Sequence, residues 1–142
     1  MSPTNPRSRS RGWALQVLYA WEQGREGDTL PESTRRTLSR RRVNPRYVEY
    51  LDQLLAWIDE DGENIDRTLR RHLENWRLER LTTIDRNVMR IAVAELLHSD
   101  DVPPTVAIHE AMQLARKYGS DESPRFVNGV LDAVAGSLRA AG

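Results

Sequence analysis

The sequence contains no cysteine. That excludes disulfides, thiolate metal sites and a cysteine nucleophile together, and it fits a reducing compartment. Lysine is almost missing as well. Of 21 basic side chains, only Lys117 is a lysine. Phenylalanine occurs once, at Phe126. No apolar run approaches the ~20 residues that a membrane span needs. No apolar segment follows the arginine-rich N-terminus either, because Gln16 and Glu22 interrupt it; a secretory signal is not expected. The expected setting is the cytoplasm. Net charge is the last absence: 21 basic and 21 acidic residues sum to zero. As a sum, that speaks against a nucleic-acid binder.

What is present is helical periodicity. The 142 residues read as a single domain, 39% hydrophobic and 30% charged, which is the composition of a globular protein. A chain of this length buries roughly 70% of its unfolded surface. Ala14, Val17, Leu18 and Trp21 stand at i, i+3, i+4 and i+7, one face of a helix, which Gly24 and Gly27 end. Residues 28–43 are polar and read as a loop holding at most a short helix. Asn44-Pro45 restarts regular structure, a capping side chain followed by a proline at the first helical position. Tyr47, Tyr50, Leu51, Leu54 and Ile58 mark the next helix, up to the acidic turn Asp59-Glu60-Asp61-Gly62. Ile65, Leu69 and Leu73 line a third.

Thr82 and Asp85 resemble a capping box. The helix behind them is apolar around almost its whole circumference, from Ile84 to Leu97, as expected of a helix at the centre of a domain. Pro103-Pro104 stops it. Another helix runs from about Thr105 to Tyr118 and ends at Gly119, and Ser123-Pro124 opens the last. Sustained period-2 alternation is absent. The expected class is all-α, a compact bundle of six or seven helices.

Catalytic chemistry has little to stand on. The histidines are His72, His98 and His109. His109-Glu110 begins like a zinc-protease motif, but Gln113 occupies the second ligand position. The cluster Asp59, Glu60, Asp61 and Glu63 lacks the ligand spacing of a calcium loop. Phosphate-binding glycine loops and a nucleophile elbow are absent. No enzyme activity, metal or cofactor is expected.

The zero net charge hides a partition. Residues 1–46 hold ten arginines against Glu22, Glu26, Asp28 and Glu32, a surplus of +6 that leaves −6 for the remainder. Arginine forks onto phosphate and stacks on bases, so such a third suits RNA. Arg7, Arg9 and Arg11 sit just before the first apolar stripe, as a basic arm over about residues 1–11 or as a first helical turn. Arginines there oppose the helix dipole at a typical cost of 0.3–1 kcal/mol each, which hints at phosphate binding. Arg40-Arg41-Arg42 reads equally as part of that surface or as a solvated turn.

Four segments carry a resemblance. Arg9-Ser10-Arg11-Gly12-Trp13-Ala14-Leu15-Gln16-Val17-Leu18-Tyr19 resembles the N-terminal signature of the NusB family. Residues 81–96 are similar to its central helix, residues 101–111 to the next helix entry, and residues 123–132 to its C-terminal signature. They occur in register across almost the whole chain, while residues 25–75 agree only in helical pattern. The resemblance implies two packed helical subdomains and a non-enzymatic transcription antitermination factor. Such a factor binds boxA RNA of ribosomal-RNA leader transcripts with NusE, a small-subunit ribosomal protein. The complex joins NusA, NusG and RNA polymerase and suppresses premature termination. Monomer and homodimer both stay open.

Position by position, the resemblance implies RNA contacts from Arg7, Arg9, Arg11, Gln16, Glu122 and Phe126. It places Tyr19 and Asp85 on the NusE-facing surface. Each residue has a plainer reading. Phe126 and Tyr19 also suit the core, Asp85 suits a helix N-terminus, and Asn128-Gly129 suits close helix packing. Gly12 stands where the family carries a glutamate, so a frayed first turn is expected. Two alternatives remain: a helical protein-interaction module, and a stand-alone RNA-binding domain related to the N-terminus of ribosomal-RNA cytosine methyltransferases. With the given sequence running to Ala140-Ala141-Gly142 and holding no cysteine, a methyltransferase domain is not expected.

Overall fold

The structure, a computed structural model, describes residues 5–24 and 27–141. The first four positions of the expected arm lie outside them. Among the described residues there are six α-helices and no strand: α1 Pro6–Gln23, α2 Leu30–Arg41, α3 Val48–His72, α4 Thr83–His98, α5 Pro104–Tyr118 and α6 Ser123–Ala141. Short 3₁₀ turns, Pro45–Tyr47 and Leu78–Arg80, lead into α3 and α4. The fold is all-α, as expected. One buried apolar cluster draws on all six helices.

α4 is the axis of the bundle. It packs against α1, α3, α5 and α6, and Val88, Met89, Val93 and Ala94 are fully buried. Thr82 caps it, its hydroxyl accepting from the Asp85 N–H at 3.1 Å.

Two local expectations are corrected and one is refined. Residues 28–43 are not a loop, because α2 fills most of them. Thr29 caps it, accepting from the Glu32 N–H at 3.2 Å. Its buried face is Leu30, Ser33, Thr34 and Thr37, so hydrophobic periodicity could not reveal it. Thr34 satisfies its hydroxyl by donating to the Leu30 carbonyl at 2.8 Å. The second and third expected helices run on as α3 but meet at a kink inside the expected acidic turn, where Asp61 leaves helical geometry (φ −119°, ψ 22°). The N-terminus is neither a loose arm nor frayed from residue 5 onward. Asn5 accepts from the Arg7 N–H at 2.8 Å, and Pro6 opens α1 with the fixed φ a first turn needs.

Two glycines act differently from expectation. Gly119 ends α5 in an extended conformation (φ −94°) that does not itself call for glycine. It is required for space, since a Cβ there would stand 2.5 Å from the Ser123 Oγ. Gly129 faces open space and permits no close packing. Ser123 turns its hydroxyl back to accept from the Ser120 N–H at 3.0 Å.

Candidate nucleic-acid interface

α1 has two faces, and they use arginine differently. The inner face carries Arg11, which is only 3% exposed. Its Nε donates to both Glu95 oxygens, at 3.0 and 2.9 Å. Its Nη1 donates to Glu110 at 3.2 Å. Tyr50 donates its hydroxyl to the same Glu95 carboxylate. Burial alone would lower the Arg11 guanidinium, but the hydrogen bond and charge of Glu95 raise it above its ordinary value. Arg11 therefore stays charged. Burial and the Glu95 hydrogen bond push the Tyr50 hydroxyl well up, so it keeps its proton. α1, α3, α4 and α5 are tied together here by one buried polar cluster.

This corrects the reading of Arg11 as an RNA contact. A buried guanidinium with two carboxylate partners has no donor directed at solvent, and exposing it would strand Glu95. Arg7 is tied as well. It forks onto Asp101 at 3.2 and 3.0 Å and lies 4.3 Å from the centre of the Tyr50 ring. Its side chain is nonetheless 39% exposed at the rim. Of the three N-terminal arginines, Arg9 alone is exposed and without an ion pair among the described residues.

A second inner network sits at the other end of α1. Glu22 accepts from Arg86 and Arg90 of α4, and Arg90 also forks onto Asp66 of α3 at 2.8 and 3.0 Å. Burial alone would raise the Glu22 carboxyl, yet the bonds and charges of the two arginines hold it below the usual glutamate range.

The outer face of α1 carries Arg9, Gln16 and Tyr19, with Trp13 half-buried between them. These residues floor two adjoining depressions of about 570 and 370 Å³ that share Gln16 and Arg41. Tyr19 is 44% exposed, so it is a surface residue and not part of the core.

The remaining expected site residues gather elsewhere. Asp85, Glu122 and Phe126 line one cleft of about 330 Å³. Glu122 is exposed, while Phe126 is partly buried with one side against the core. One Asp85 oxygen, Oδ1, is buried there without a hydrogen-bond partner. Sequence reasoning missed Trp76 in this cleft, which is 60% exposed. Its signal was a large aromatic amid the polar run Glu74-Asn75-Trp76-Arg77. It also missed the buried Arg11–Glu95 pair, whose only trace was a lone glutamate in the most apolar helix.

Two of the three histidines serve the fold. His72 pairs with the Thr68 carbonyl at 2.8 Å, and His98 meets Asp61 at 2.7 Å and stacks on Trp57. Among the described residues no cluster of histidine and acidic side chains could hold a metal ion, and no helix is long and apolar enough to cross a membrane.

Fold and surface together define an all-helical protein whose open helix faces present charged and aromatic side chains. The particular family follows from comparison: the NusB family model matches residues 8–136, and the chain belongs to the NusB family. It is 40% identical to the transcription antitermination protein NusB of Sorangium cellulosum, over 93% of each chain. It spans 64% of the length of the homonymous protein of Chloroherpeton thalassium. Among solved structures it superposes on T. maritima NusB with a TM-score of 0.84 at 35% identity, covering 94% of this chain and 93% of that one. It also superposes on a structure of antitermination factors NusB and NusE in complex with dsRNA, with a TM-score of 0.83 at 28% identity and coverage of 95% and 99%.

Proposed function

We propose that the chain is a transcription antitermination factor that binds boxA RNA of ribosomal-RNA leader transcripts together with NusE. In this reading it acts in the cytoplasm within a larger assembly with NusA, NusG and RNA polymerase. The observation that carries it is the outer face of α1, where Arg9 and Tyr19 stand exposed with the half-buried Gln16 between them on a chain of this family. The superposition on a NusB–NusE complex with RNA supports both partners.

Arg9 supplies phosphate contacts, with Arg7 at the rim and Gln16 hydrogen-bonding from the next turns. Phe126 presents the open side of its ring for stacking, worth ~1–3 kcal/mol per base. Glu122 beside it tunes affinity through its charge. Tyr19 and Asp85 meet NusE. Arg11 takes a positioning role, fixing α1 against α4.

Fluorescence anisotropy with labelled boxA RNA, with and without NusE, tests the reading. Binding that is specific and strengthened by NusE is expected, with Arg9→Ala and Phe126→Ala each weaker. Equal affinity for a scrambled RNA contradicts it.

A further inference from the structure

The two depressions over α1 form one trench whose floor runs from Ser8 to Gly24, about 24 Å of helix axis at 1.5 Å per residue. One wall is the C-terminal half of α2 and the other is α5. Arg40 and Arg41 stand on the α2 side, Lys117 on the α5 side and Arg9 at one end. All four are exposed, and none makes an ion pair among the described residues. The single carboxylate on this lining, Glu110, is already engaged by Arg11.

The rest of α2 behaves differently. Arg36 also lines the trench, but it is already paired with Asp28 at 2.9 Å. Arg35, on the opposite side of the helix, lines a depression with Asp52, Asp59 and Glu60. Arg40 and Arg41 thus stand on the trench with no ion pair among the described residues, whereas Arg36 beside them is neutralised and Arg35 faces an acidic lining. Four like charges around one trench repel each other unless a polyanion supplies the counter-charge. Aromatic faces lie among them. The Arg41 guanidinium stands 5.6 Å from the Trp13 ring, and Lys117 stands 5.2 Å from the ring of Tyr118, which is 36% exposed. A cationic track with interleaved rings is the chemistry that holds unpaired nucleotides.

We propose that this trench carries a stretch of single-stranded RNA, with Arg40 and Arg41 binding its phosphates and Trp13 and Tyr118 offering stacking faces. The inference rests on the RNA-binding reading above and extends the RNA path from α1 onto α2.

The test uses the full chain and a fluorescein-labelled single-stranded boxA RNA with its flanking nucleotides, titrated at several salt concentrations. Arg40→Gln/Arg41→Gln is compared with Arg35→Gln/Arg71→Gln, which removes the same charge away from the trench. All four positions are exposed, and circular dichroism checks that both variants fold. The trench variant is expected to bind about tenfold more weakly, and its salt slope to fall by about 1.4, or about 0.7 per lost phosphate contact. The control is expected to stay within about twofold. Ultraviolet crosslinking is expected to place adducts on Trp13 or Tyr118.

An unchanged slope in the trench variant, while Arg9→Gln still weakens binding, overturns the trench and leaves the RNA reading standing. Equal losses in both double variants overturn it too, because the effect is then the general field. Loss of NusE binding with RNA binding intact would place a protein there instead. Failure of the unmodified chain to bind the RNA overturns both readings.

Discussion

The two faces of α1 hold the same residue type in opposite circumstances. Inward, Arg11 is enclosed by Glu95, Glu110 and the Tyr50 ring. Outward, Arg9 meets no carboxylate among the described residues. They are two positions apart in sequence, and the 100° turn per residue of a helix separates their fates. A charge count assigns both to the same basic patch. What decides function is whether a guanidinium already has its anion. The inner arginines, with Arg86 and Arg90 around Glu22, hold helices together; the outer ones are free to bind.

The largest way to break this contrast is to remove an inner partner. Glu95→Ala strands the Arg11 guanidinium in the interior and is expected to cost about 3–5 kcal/mol of stability, read from urea unfolding. A loss under about 1 kcal/mol would mean that Arg11 can turn outward, and the division would fail.

A smaller effect is expected at the other inner network. The Glu22 carboxyl lies below the usual glutamate range in the folded chain. Its contribution is therefore present above the ordinary value of about 4.3 and is lost as pH falls through the lowered folded value. Glu22→Gln should be less stable than the unmodified chain at neutral pH, and the gap should close in acid. A gap that does not vary with pH would show that the carboxylate charge is not what Arg86 and Arg90 use.

The smallest effect is expected between the faces, at Gly12. A Cβ there would sit 4.0 Å from the nearest Leu114 atom, an ordinary contact. Gly12→Ala should add about 0.4–1 kcal/mol to the thermal stability by reducing the freedom of the unfolded chain. A loss of stability would mean that α1 and α5 approach more closely than the structure has them.

Much of this architecture was legible in the sequence because apolar side chains carried it. The stripe at Ala14, Val17, Leu18 and Trp21 and the all-round apolar α4 gave the class and the axis. Where polar side chains do the packing, periodicity was silent. α2 buries Ser33, Thr34 and Thr37, and so it read as a loop. Arg11 was misplaced for the same reason. Nothing in Arg9-Ser10-Arg11 says which arginine faces Glu95, 84 positions further along the chain. Arg9 and Tyr19 are exposed and Asp85 and Phe126 line one cleft, a grouping the sequence does not show, and which partner meets them depends on chemistry beyond the chain itself.

The most direct test of the central claim is the salt dependence of boxA RNA binding in two variants measured side by side. Arg9→Gln removes an outer arginine, while Arg11→Met/Glu95→Leu replaces the inner pair by apolar side chains, an exchange that buried ion pairs often tolerate. The account predicts that Arg9→Gln lowers the slope by about 0.7 and that the double variant keeps the slope of the unmodified chain. A slope that falls in the double variant and holds in Arg9→Gln would contradict it, because the buried arginine would then be the one that meets the RNA.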